Sequence, residues 1–153
     1  MKPIHSFSSV ARFFMLIIFL FGCSQFMSCG SKGGDPGLTV AEQVKAKLIA
    51  HSWKVITVTV DGVDKTTLFT NFSITFAATS FTTTNGGLVW PSSSTWSFTD
   101  TNATAFTRGD VLIVQLLEAT DTSLKMGLTW NKNTFGPGRI ESVSGQHVFV
   151  MGK

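Results

Sequence analysis

Few side chains in this 153-residue sequence are equipped for chemistry, and most of those stand alone. Two cysteines, Cys23 and Cys29, sit close together near the N-terminus, and the rest of the chain has none. A metal centre would need clustered His, Cys, Asp or Glu. Beyond the N-terminal segment only His51 and His147 are available, far apart and without ligand-like spacing, so each reads as a surface histidine or a satisfied one. Serines are abundant, but no Gly-x-Ser-x-Gly elbow presents one as a nucleophile. Ser144-Gly145-Gln146-His147 reads instead as a turn feeding the last strand. Gly136-Pro137-Gly138-Arg139 could suggest an anion-binding loop, yet no strand, loop and helix sequence surrounds it, so it reads as a hairpin turn with a solvated arginine. These residues predict no catalytic group, no metal and no cofactor, and hence a chain that is not an enzyme.

The cysteines gain meaning from what precedes them. Residues 1–12 carry Lys2 and Arg12 and no acid, and the apolar run Phe13-Phe14-Met15-Leu16-Ile17-Ile18-Phe19-Leu20-Phe21-Gly22 follows at once. A positive start followed by about 7–15 apolar residues is the layout of a secretory leader. A spanning helix needs about 20 such residues, and Ser24-Gln25 interrupt the run too early. Removing the leader takes Lys2 and Arg12 with it, which leaves 10 basic residues against 9 acidic ones and a net charge of +1. That balance gives no case for nucleic acid.

Leu20-Phe21-Gly22-Cys23 resembles the lipobox of bacterial lipoproteins, in which a branched apolar residue and small residues precede the modified cysteine. Phe26-Met27-Ser28-Cys29 is a competing match. Closeness to the apolar run favours Cys23, whereas the linker starting at Gly30 favours Cys29. The resemblance implies a diacylglyceryl group on that thiol and cleavage just before it, giving a leader of residues 1–22, or 1–28 if Cys29 is used. Each buried CH₂ of the acyl chains adds about 0.8 kcal/mol of membrane affinity, so several chains anchor a protein durably. The alternative is a plain secreted protein with a disulfide between the two cysteines. Neither cysteine is followed by aspartate, which by the same resemblance implies the outer membrane; the side of the membrane stays open.

Residues 30–37 are Gly, Ser, Lys, Asp and Pro, too polar to fold alone, so residues 23–37 read as a flexible tether. Thr39-Val40-Ala41-Glu42 is a capping box opening a helix over roughly 40–51, with Val40, Val44, Leu48 and Ile49 as its apolar stripe. From Trp53 onward the period becomes two. Phe72, Ile74 and Phe76 alternate with hydroxyl residues, as do Trp96 and Phe98; Leu124, Met126, Leu128 and Trp130 alternate with Ser123, Lys125, Gly127 and Thr129. Segments 55–60, 111–117 and 147–151 are more continuously apolar and predict more fully buried strands. Turn signals at Asp61-Gly62, Asn85-Gly86-Gly87, Gly109-Asp110 and Asp121-Thr122 separate the runs. About eight strands joined by hairpins predict an all-β domain over residues 38–153: a small antiparallel up-and-down barrel with a short N-terminal helix, a sandwich being the alternative.

Ala50-His51-Ser52-Trp53-Lys54-Val55, followed by Asp61-Gly62, resembles the start of lipocalin-like domains of bacterial lipoproteins, where a short helix leads into Gly-x-Trp. His51 stands in the glycine's place. Ser94-Thr95-Trp96-Ser97-Phe98 is similar to their Gly-x-Trp-x-Phe strand, with serine for glycine. The resemblance implies that Trp53 closes one end of the barrel. It supplies no ligand, because fold does not fix function. Phe72, Phe76, Trp96, Phe98, Met126 and Trp130 are expected on one side of the sheet, forming either a filled core or the wall of an apolar pocket. The expected function is non-catalytic binding at the envelope, with a small apolar molecule as guest. The alternative is a structural or interaction module contacting envelope protein or glycan.

Overall fold

The structure, a computed structural model, describes residues 37–132 and 143–153. The leader, Cys23, Cys29, the tether up to residue 36 and the turn at 136–139 lie outside the described residues.

Helix α1 spans Val40–Ile49 and starts where the capping box places it. The Thr39 backbone N–H donates to Glu42 Oε2 at 2.7 Å, and the Glu42 N–H donates to Thr39 Oγ1 at 3.2 Å. The Thr39 N–H, with the Thr39 hydroxyl that donates to the same oxygen at 2.8 Å, holds the Glu42 carboxyl below its usual range. The expected stripe is only half used: Leu48 is buried and Val44 packs on the core, but Val40 and Ile49 face solvent. The helix touches the sheet at β3 and β7 and stops at the first strand, two residues short of the predicted end.

Nine strands follow: β1 (Ser52–Val60), β2 (Val63–Asp64), β3 (Ser73–Phe76), β4 (Ser80–Thr84), β5 (Ser93–Phe98), β6 (Ala105–Arg108), β7 (Ile113–Ala119), β8 (Ser123–Trp130) and β9 (Gly145–Gly152). Each pairs antiparallel with its neighbours, and β9 returns to pair with β1, closing the ring. β1 makes the closure by bonding β3 through residues 52–54 and β9 through residues 54–60. The short β2 lies outside the ring, beside the end of β1. Eight strands therefore form a closed up-and-down barrel, as the patterning predicts, and the architecture is lipocalin-like, as the resemblance implies. A one-turn 3₁₀ helix (Thr66–Phe69) carries Phe69 into the interior.

Of the three continuously apolar segments, residues 147–151 are all buried or half-buried as expected, whereas the other two behave differently. In β7, Ile113 is 57% exposed and Leu117 50%, while Val111 in the preceding turn is 83% exposed. In β1, Ile56 is exposed although Trp53, Val58 and Val60 are buried. Among the described residues no second layer covers these strands, so each buries one face and alternate residues of an apolar run face out. Register shifts at residue 56 in β1 and residue 117 in β7 enforce this by inserting one extra residue each.

α1 and the turns at 77–79, 99–104 and 120–122 lie at one end of the barrel; the 61–72, 85–92 and 109–112 segments lie at the other. Between them the interior holds a continuous series of aromatic contacts. Phe98 meets Trp96 (ring centroids 5.0 Å apart), Trp96 meets Phe76 (5.4 Å), Phe76 meets Phe81 (6.0 Å), and Phe81 meets Trp90 (5.7 Å). Trp90 in turn contacts Phe72 and Phe149. At the helix end, Trp53 is fully buried and its indole N–H donates to the Leu48 carbonyl at 3.0 Å. The bond ties α1 to β1.

Candidate functional site

Of the residues the sequence singles out for a pocket, Phe72, Phe76, Trp96, Met126 and Trp130 are buried inside the barrel, and Phe98 is half-buried. The first four belong to the buried aromatic and aliphatic cluster. Trp96 is also satisfied as a donor, its Nε1 lying 3.0 Å from the Ala77 carbonyl and 3.1 Å from that of Ser80. Trp130 belongs to a different setting at the loop-bearing end.

That setting is organised by Arg108, a residue the sequence reading passed over. Arg108 follows Phe106 by two along β6, so the strand period turns both inward. Its guanidinium is fully buried yet has three protein bonds. Nε and Nη2 donate to the two carboxylate oxygens of Asp110 at 3.1 and 2.7 Å, and Nη1 donates to the Val89 carbonyl at 2.7 Å. It also lies over two indoles, 5.0 Å from the Trp90 ring and 6.0 Å from the Trp130 ring. The Arg108 hydrogen bonds hold the Asp110 carboxyl below its ordinary range.

The local backbone makes this placement possible. Gly109 lies against β5, where an added Cβ would come within 2.8 Å of Ser94 Oγ and Thr95 Oγ1. Val111 has φ 59°, a left-handed conformation that is a strain for a β-branched residue. The Val111 N–H donates to the Arg108 carbonyl at 2.9 Å, and the Arg108 N–H to that of Leu112, also at 2.9 Å. Val111→Gly should relieve about 1–2 kcal/mol of left-handed strain and lose about 0.5–1 kcal/mol in chain entropy. A net gain of about 0.5–1 kcal/mol, seen as a higher thermal midpoint, is the expected outcome.

His147 enters the same end from β9. The sequence suggested a surface or fully satisfied histidine; the structure puts it inside with no solvent exposure, in step with Phe149 and Met151. Its ring stacks on Phe149 at 5.8 Å and meets Phe69 edge-on at 6.0 Å. Nδ1 lies 3.1 Å from the Gly145 carbonyl, which can only accept, so Nδ1 carries the proton and Nε2 holds a lone pair. Burial lowers its pKa, against opposing pulls from the Gly145 carbonyl and Asp61. A histidine kept neutral in the fold binds fewer protons than in the unfolded chain. Stability should therefore fall as pH drops from about 6.5 through the lowered folded value. His147→Phe, which keeps a stacked ring, is expected to flatten the pH dependence of thermal melting between pH 7 and 5. A slope equal to that of the parent would contradict this.

Among the described residues three buried ring nitrogens lack a partner: Trp90 Nε1, Trp130 Nε1 and His147 Nε2. They belong to one end of the barrel, since Arg108 faces both indoles and Phe149 contacts both Trp90 and His147. The arrangement offers two donors, one acceptor and several aromatic faces. His51, by contrast, is half-buried against the edge of Trp53. Among the described residues no group of three metal-ligating side chains occurs.

A second feature lies outside the barrel. Ile113 and Leu117 of β7, Gly127 of β8 and Val148 of β9 line an open groove of about 440 Å³. Gly127 leaves room for Leu117, whose Cδ1 would lie 3.3 Å from a Cβ added there.

The fold thus defines a lipocalin-like eight-stranded barrel with a short helix at one end. No protein-family model matches the chain, and neither a curated protein nor a solved structure matches it.

Proposed function

We propose that this chain is a bacterial envelope lipoprotein, moored to the outer membrane through Cys23 or Cys29, whose barrel is a non-catalytic binder of a small, mainly apolar molecule at its loop-bearing end. The binding half is carried by three unpartnered ring nitrogens at this end, those of Trp90 and Trp130 beside buried Arg108 and that of His147, which shares Phe149 with Trp90. Each unmet buried polar group costs about 1–3 kcal/mol, whereas aliphatic side chains would fill the same space without that cost. Phe72 and Phe149 supply apolar contact beside them. The envelope half rests on the positive start, the apolar run and the two cysteines.

Two measurements test the two halves separately. Mass spectrometry of the full chain recovered from bacterial membranes should show a new N-terminus at Cys23 or Cys29 carrying diacylglyceryl; an intact leader would refute the anchor. Titration with fatty acids and aromatic dyes, followed by tryptophan fluorescence, should show saturable binding; linear partitioning with every compound would refute the binder.

The groove on β7–β9 favours a second reading, an interaction module that meets another envelope protein through Ile113 and Leu117, both more than half-exposed or nearly so. On that reading Leu117→Lys would abolish the association without lowering the melting temperature.

A further inference from the structure

The chemistry of the guest can be taken one step further, and this step rests on the binding reading above. Trp90 and Trp130 can each donate one N–H, while His147 Nε2 presents a lone pair. The positive charge nearby is already answered. Arg108 spends two donors on Asp110 and a third on the Val89 carbonyl. A second carboxylate, Asp61, stands in the hairpin beside β9, where it accepts the Gln146 N–H at 2.8 Å. A carboxylate guest would meet this balanced site with two fixed carboxylates near it and would point its own lone pairs at that of His147. A hydroxyl suits all three nitrogens: its oxygen accepts from the indoles and its proton goes to Nε2.

We propose that the loop-bearing end holds an uncharged, apolar-framed alcohol through Trp90, Trp130 and His147, and discriminates against the matching carboxylate. The guest's frame packs against the aromatic rings of Phe69, which contacts His147, of Phe72, which contacts Trp90, and of Phe149, which contacts both.

The test uses the full chain and three probes of one shape that leave tryptophan emission readable: cyclohexylmethanol, cyclohexanecarboxylate and methylcyclohexane. Cyclohexylmethanol should saturate, and each of the other two should bind about tenfold more weakly, the worth of one or two hydrogen bonds. Trp130→Phe keeps an aromatic ring and removes the donor; it should weaken the alcohol about threefold to tenfold and leave methylcyclohexane unchanged. Trp90→Phe gives the same comparison should Trp130→Phe fail to fold. A carboxylate that binds as tightly as the alcohol, or donor-less variants that bind the alcohol like the parent, would overturn the alcohol assignment and leave the binding reading standing. Saturation by none of the three, the ring nitrogens being met by water alone, would overturn the alcohol assignment; failure of the fatty acids and dyes as well would take the binding reading with it.

Discussion

Asp110→Asn is expected to lower the unfolding free energy by about 3 kcal/mol at neutral pH. Arg108 would then keep a full charge with no solvent exposure and no countercharge beside it, since Asp110 supplies both carboxylate contacts. Breaking a buried pair from one side typically costs about 3–5 kcal/mol, and the 37% exposure of the Asp110 side chain places this case at the lower end. Replacing both partners, Arg108→Met with Asp110→Asn, should recover most of the loss, because Met can fill the space beside the two indoles without a charge to bury. Urea titration of the four proteins gives the coupling directly. A single variant as stable as the parent would mean that Arg108 is hydrated and that this end of the barrel is not closed. The same pair dictates behaviour in acid. Asp110 has a lowered folded pKa, so its contribution is complete above its ordinary value of 3.8 and is lost as pH falls from there through the folded value. That window opens at 3.8, whereas the one assigned to His147 opens at about 6.5.

Trp53→Ala is expected to cost about 3–5 kcal/mol, a large share of the roughly 5–15 kcal/mol that holds a domain of this size together. Trp53 has no solvent exposure, and its removal leaves a cavity where the barrel meets α1. It also removes the indole donor from the Leu48 carbonyl, one of the last carbonyls of the helix, which then has no intrahelical partner. Trp53→Phe separates the two effects: the ring remains, the bond is lost, and about 1–3 kcal/mol is the expected cost. Both variants should loosen α1, so trypsin is expected to cut sooner at Lys45 and Lys47. Equal cleavage rates, or a loss under about 1 kcal/mol for Trp53→Ala, would show that the helix is held by other contacts.

The residues that make the barrel were legible because their period is short and local. Phe72, Ile74 and Phe76, or Leu124, Met126, Leu128 and Trp130, alternate with polar neighbours, and all seven are buried as that pattern requires. Thr39 and Glu42 announced the helix start through a bond between positions three apart. The segments that misled were those without alternation. Residues 111–117 read as doubly buried, but whether a second layer covers a strand is not a local property, and none of the described residues supplies one here. The loop-bearing end was the least legible part. Arg108 carried one usable signal, its two-residue offset from Phe106, and His147 carried another in its step with Phe149 and Met151. Nothing in the spacing announced that Trp90, in a loop, would lie beside Arg108.

From the residue order alone came the elements, their inward faces and the turns that join them, because each depends on contacts within a few positions. Residue order also carries the leader and the paired cysteines on which the envelope proposal depends. Closure of β9 onto β1 and the meeting of Trp90, Arg108 and Trp130 were decided only in three dimensions. A strand's alternation states which side is buried, but not which other strand's residue it will face there; that follows from barrel closure and register, which no short stretch of sequence contains.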